Sequence, residues 1–231
     1  MKKTNLLLAL MVFACIATSF AQADMKETIA MIKTNLVQSK QKIKQYAWIE
    51  TTKTYIKGEL KSTKQNQCYY SVDGQLTKVA TGGTDQAKKK GGLKGKIIEN
   101  KKADIADYVT KAVEKVKAYL PPDPEKIQQI YGAGKVSIQV LEPNKKFKLS
   151  FPDYLQQGDV LAISLDKVSQ KLMGLDVNTY IDKPEDKVVF NVTYKDLPDG
   201  TQYAASTSLV AAAQDLKIVI ENSGYKKGAA N

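Results

Sequence analysis

The sequence contains no arginine and no histidine; all 35 of its basic side chains are lysine. Without imidazole there is no histidine-based triad, no Cys–His pair and no imidazole metal site, which removes most nucleophilic hydrolases and the common zinc centres. Without guanidinium there is no planar fork for bidentate recognition of phosphate or guanine, so sequence-specific nucleic-acid reading is not expected. Cysteine occurs twice and tryptophan once. Phosphate-cradling loops, dinucleotide fingerprints and EF-hand loops are all missing, so no cofactor is implied. A Ser–Lys dyad would need a serine in a nucleophile motif, and no serine has one. Asp153, Asp159, Asp166, Asp176 and Asp182 could supply paired carboxylates, but they lie at turns and strand ends with no motif around any pair. The expected class is therefore a non-enzymatic binding protein.

Residues 1–23 have the three parts of a cleavable export signal. Lys2 and Lys3 open it, an apolar run covers Leu6 to Ile16, and Ala21-Gln22-Ala23 offers the small residues a signal peptidase requires. That run is shorter than the roughly 20 residues needed to span a bilayer as helix. The alternative is a lipoprotein signal acylated at Cys15, for which Phe13 is bulky. Export to the periplasm or beyond is the expected location. Cleavage after Ala23 would leave 208 residues (231 − 23), with Cys68 as the lone thiol and hence no internal disulfide. Beside Tyr69 and Tyr70, Cys68 reads as a small core residue. Loss of Lys2 and Lys3 takes the formal charge from +11 to +9, a balance that suits anionic surfaces and also keeps a protein soluble.

From residue 24 onward the pattern suggests one domain. Asp24 and Glu27 form a capping box ahead of an amphipathic helix with Ile29, Ile32, Leu36 and Ile43 on one face. The period then changes to two: Trp48–Tyr55, Ile56–Ser62, Gln67–Val72 and Gln75–Val79 read as strands, with Asp73-Gly74 as a hairpin turn. Residues 81–102 hold five glycines and seven lysines and read as a surface loop. A helical insert is expected over 103–132. Ile105, Val109, Ala112, Val113, Val116 and Leu120 form its apolar face, Pro121-Pro122 breaks it, and Asp123-Pro124 opens a second short helix. Beyond Lys135 seven strands follow, from Val136–Leu141 to Leu216–Asn222, with clear alternation at Phe147, Leu149, Phe151 and at Val188, Phe190, Val192, Tyr194. The expected fold is mainly β (α+β): a curved antiparallel sheet forming an unclosed half-barrel, covered by the N-terminal helix and the central insert.

The order of elements, with strands entered through Ala47-Trp48-Ile49-Glu50, resembles the LolA/LolB-like family of bacterial periplasmic lipoprotein carriers and lipid-binding relatives. Phe147-Lys148-Leu149-Ser150-Phe151-Pro152-Asp153-Tyr154 and Gly158-Asp159 are similar to that family's later strands. So is Val189-Phe190-Asn191-Val192-Thr193-Tyr194 through Leu197-Pro198-Asp199-Gly200-Thr201. The resemblance implies a concave apolar face, lidded by helices, that holds a lipid acyl chain or a lipoprotein. The carriers use an arginine at the lid; this chain has none, and no lid residue is carried over. Trp48, Val109, Val113, Val116, Leu120, Phe147, Leu149, Phe151, Phe190 and Tyr194 are the lining candidates, each of which alone could equally be a packing residue. The competing expectation is a secreted interaction module with a filled core, bound to an anionic membrane or envelope surface through Lys88–Lys102.

Overall fold

Alternating strands with one apolar side cannot stand alone in water, and in this protein they find two covers. A computed structural model describes Glu27, residues 30–85 and residues 93–228, with only the backbone described at 85 and 93–103. The expected signal segment, Cys15, the cleavage site, Asp24, Ile29 and the core of the lysine-rich stretch lie outside the described residues.

Ten strands form one antiparallel sheet: β1 Tyr46–Ile56, β2 Glu59–Tyr70, β3 Leu76–Asp85, β4 Ser137–Glu142, β5 Lys146–Pro152, β6 Val160–Asp166, β7 Lys171–Tyr180, β8 Lys187–Asp196, β9 Gln202–Ala211 and β10 Leu216–Lys227. Their spatial order is β3-β2-β1-β10-β9-β8-β7-β6-β5-β4. The first three strands thus join the last seven through β1 against β10, and the sheet stays open between edges β3 and β4. Helix α1 (30–42) leads through a short 3₁₀ turn, Ile43–Gln45, into β1; α2 Leu93–Lys117 and α3 Pro124–Gly132 connect the two edges. The expected half-barrel architecture is present.

Two expectations need correction. The stretch 81–102 is not one loop: its first residues complete β3 and its last ten begin α2. Gly82 and Gly83 pair with Gln65 and Lys64 of β2, and the Lys, Leu, Ile and Glu of 93–102 are mostly good helix formers that outweigh Gly95. Asp104 and Asp107 consequently lie inside α2, which has no acidic residue in its first turn. Likewise Ile56–Ser62 and Gln67–Val72 are not separate strands. The turn falls at Lys57-Gly58, both with positive φ (53° and 75°), and β2 then runs unbroken. Asp73-Gly74 turns as expected, with Gly74 N–H donating to the Ser71 carbonyl. Asp123 caps α3 by accepting from the Glu125 N–H, and Pro124 occupies the first turn.

Register explains where the core sits. One row of directly paired residues reads Phe151, Leu161, Val177, Phe190, Leu209, Ile218 across β5 to β10. The next row reads Leu149, Ile163, Leu175, Val192, Thr207, Ile220. On β1 and β2 the same rows continue as Thr54 and Ser62, and as Thr52 and Lys64. This face is apolar over β5 to β10 and on to the β4 edge, where Ile138 pairs with Leu149 and Val140 with Phe147, and it turns polar over β1 and β2. Helices cover the apolar part: Ile32 of α1, Ile127 of α3 and Tyr119 pack on β5–β7, while Ala112 and Val116 of α2 pack on Val188 and Leu209.

Candidate functional site

The covered face divides into two clusters that share residues at their seam. The larger joins Ile32, Ile127 and Tyr119 to Leu149, Phe151, Leu161, Leu175 and Val177, with Phe147, Tyr194, Leu120 and Phe190 half-buried at its border. The smaller joins α2 to β8 and β9, with Val113, Leu120, Phe190 and Ile218 at its border. Leu120 and Phe190 belong to both. Of the lining candidates, Leu149, Phe151 and Val116 are fully buried core residues. Leu120 and Phe190 sit half-buried at the seam, Val113 at the border of the smaller cluster, Phe147 and Tyr194 at the border of the larger, and Val109 is half-buried on α2. The Tyr194 phenol is pushed up from its ordinary value by burial.

Trp48 is elsewhere. Its ring stacks on Tyr225 (centroids 5.6 Å apart) and tilts against Tyr70 (6.0 Å), while its indole N–H donates to Asn222 Oδ1 at 3.1 Å. Tyr203 lies 4.4 Å from Tyr225, so aromatic rings run across β2, β1, β10 and β9. This row packs a part of the sheet remote from the clusters under α2 and α3. Glu50 lies buried nearby, with both oxygens accepting from Lys78 Nζ at 2.6 and 2.8 Å. Cys68 is buried and free, and burial pushes its thiol up from its ordinary value. It reads as the core residue expected.

A polar knot closes one end of the covered face, and sequence reasoning missed it. Asp159 is wholly buried. Its Oδ1 accepts from the Tyr154 N–H, and its Oδ2 from the Leu155 and Gln156 N–H groups (2.9 Å each) and from the Tyr119 hydroxyl (2.5 Å). Thr179 and Gln156 complete the network. Burial and the Asp159 bond together push the Tyr119 phenol well above its ordinary value. The signal was present in Gly158-Asp159: glycine at φ 81° turns the 153–159 loop so that one carboxylate meets three successive N–H groups. Three of the other acidic candidates are also engaged. Asp153 accepts from the Gly158 N–H, Asp166 from Val168 and Ser169, and Asp176 pairs with Lys148 at 2.6 Å while accepting from Asn191.

The larger open space adjoins this knot, where Gly158 and Thr179 line it. A groove of about 630 Å³ is lined by Gln157, Asn178, Tyr180, Pro184, Lys187 and Val189, and a depression of about 310 Å³ lies over Gly82 and Gly83. Neither is lined by an apolar candidate. Among the described residues the helices cover much of the apolar face, while Ile138 and Val140 at the β4 edge stay exposed.

No family model matches the sequence, and no curated protein matches it. Among solved structures, a crystal structure of a DUF1329 family protein from Desulfovibrio piger is similar at a TM-score of 0.31 and 7% identity, over 87% of this chain and 94% of that one.

Proposed function

We propose that the protein is an exported, non-enzymatic carrier that shelters the acyl chain of a lipid or lipidated partner between sheet and helices, as LolA/LolB-like carriers do. The observation that carries this reading is the apolar row Phe151-Leu161-Val177-Phe190-Leu209-Ile218, covered by helices rather than by a second sheet. Such a cover can be exchanged. An acyl chain laid on the row gains roughly 0.8 kcal/mol for each CH₂ removed from water. The helix side chains it displaces lose apolar contact of the same kind. Exchange at nearly balanced area is what a reversible carrier requires, and the half-buried seam at Leu120 and Phe190 is where a chain would enter.

Native mass spectrometry of protein purified from the periplasm, with solvent extraction of co-purifying material, tests the reading. The expected result is a stoichiometric acyl lipid, or uptake of fatty acid or phospholipid that is insensitive to salt. Uptake should be lost when Phe147 and Phe190 are replaced by charged residues in a variant that still folds. A clean apo mass with no uptake overturns the carrier and leaves the interaction module with a filled core.

A further inference from the structure

Lysines on the sheet are mostly engaged: Lys53 meets Glu221 at 2.7 Å, Lys148 meets Asp176 at 2.6 Å, and Lys171 meets Asp196 at 2.9 Å. The surface formed by α1 and the end of β10 is different. Residues 30–45 carry four lysines and no acid. Positions 33, 37 and 40 of α1, and 44 in the 3₁₀ turn that continues it, recur at four- and three-residue steps and so lie along one side. That side carries Lys33, Val37, Lys40 and Lys44, away from Ile32, Leu36 and Ser39, which face the sheet. The stripe runs on to β10 because the Gly228 N–H donates to the Gln45 carbonyl at 3.0 Å and Tyr46 pairs with Lys227. Among the described residues, Lys33, Lys40, Lys44 and Lys226 meet no carboxylate. Lys227 meets Asp199 at 3.9 Å and lies over the Tyr46 ring, 5.9 Å from its centroid.

We infer that this surface docks the protein onto a bilayer containing anionic phospholipid. Clustered cations without counter-charges draw a protein to a negative leaflet, each lysine acting within about one Debye length. Val37 chooses the bilayer over a soluble polyanion. It is 55% exposed in the middle of the lysine stripe, where a polymer has no use for it but a headgroup boundary accepts an apolar side chain. The surface is distinct from the lysines of 88–102 and does not depend on what the concave face holds.

Co-sedimentation with vesicles of phosphatidylcholine alone, or of phosphatidylcholine with phosphatidylglycerol, tests the inference. Binding is expected only to the second, and to weaken steeply with added salt. Each lysine contributes roughly five-fold, so the variant Lys40→Gln, Lys44→Gln, Lys226→Gln should bind roughly a hundredfold more weakly with an unchanged circular dichroism spectrum. A variant with equal charge loss, Lys88→Gln, Lys89→Gln, Lys90→Gln, should bind as the parent does. Three outcomes overturn the inference: no preference for phosphatidylglycerol, loss of binding in the 88–90 variant alone, or capture by a soluble polyanion without vesicle binding.

Discussion

Replacing Asp159 should be among the most damaging single polar substitutions in the described chain, and its cost can be worked from the bonds it makes. Asparagine can place its oxygen where Oδ2 sits and keep the Leu155, Gln156 and Tyr119 donors. Its amide then faces the Tyr154 N–H, donor against donor, where Oδ1 had accepted. A hydrogen bond to a charged acceptor is worth about 1.5–3 kcal/mol, and a buried donor left unpaired costs its desolvation. Asp159→Asn should therefore cost about 3 kcal/mol. Asp159→Ala strands three N–H groups and should approach 5 kcal/mol. Tyr119→Phe removes one hydroxyl while Asp159 keeps its three backbone donors, so its cost should be about 1 kcal/mol. Urea titration followed by far-ultraviolet circular dichroism reads these as shifts in midpoint at constant slope. The order matters more than the values. If Asp159→Asn falls within about 0.5 kcal/mol of the parent, or Tyr119→Phe costs more than it, the carboxylate is not what holds the 153–159 loop to the turn after α2 and the reasoning fails.

Three further outcomes follow from other sites. Asp199 is held down to about 2, below its ordinary 3.8, by the Tyr46 hydroxyl first and by Thr201 and Lys227. A depressed carboxyl stabilises the fold above its unfolded value and loses that contribution as pH falls toward its folded value. Asp199→Asn should therefore flatten the acid limb of the stability–pH curve between those two values, and an unchanged limb refutes the assignment. Burial raises the phenols of Tyr108, Tyr119, Tyr154, Tyr194 and Tyr225 above the ordinary 10.0, so stability should hold below that value and fall as pH rises past it. A native ultraviolet titration should show these ionising late, and a single step near 10 for all tyrosines counts against it. Gly83 stands at φ 153°, and an added Cβ would lie 2.5 Å from the Thr63 carbonyl oxygen. Gly83→Ala should cost about 2 kcal/mol of local strain and accelerate amide exchange along β3, whereas Gly82→Ala, with space for its methyl, should not.

The sheet was legible because burial on one face writes a period of two into the chain, and where that period was strong the boundaries came out nearly intact. The expected Val136–Leu141 lies one residue ahead of β4 at each end, and the expected Leu216–Asn222 starts where β10 starts. Reading failed where a residue tolerates what it does not prefer. Lys57 adopts a positive φ beside Gly58, so β1 and β2 turn at a dipeptide with only half of the usual signature. The candidate lining was legible as apolar alternation, but alternation cannot tell a residue sealed under a helix from one at a seam. Leu149 and Phe147 are two residues apart on one face, yet the first is fully buried and the second is not. Trp48 misled for a related reason. Its strand shares the sheet, but register puts it near Asn222 and Tyr225, beyond the reach of α2, where the neighbouring rows have turned to threonine.

The early start of α2 has a geometric reason that propensity alone does not supply. The chain leaves the sheet at one edge, β3, and must re-enter at the other, β4. Ten strands at about 4.8 Å spacing make an arc of about 43 Å, shortened somewhat by curvature. A helix beginning at 103 would span about 22 Å, while the 25 residues of α2 span about 37 Å, and α3 completes the crossing against β5. The lysine-rich segment is thus drawn into helix because the fold needs its length. The same constraint explains why the sheet stays open: its edges are joined through the covering helices rather than through a β3–β4 ladder. In the proposed carrier a cover tied at both edges would tilt away from the Phe190 seam without leaving the molecule, so access to the apolar row and integrity of the fold would be set by different contacts. Substitutions at the seam should then change ligand uptake while leaving the Asp159 knot, and the stability it confers, in place.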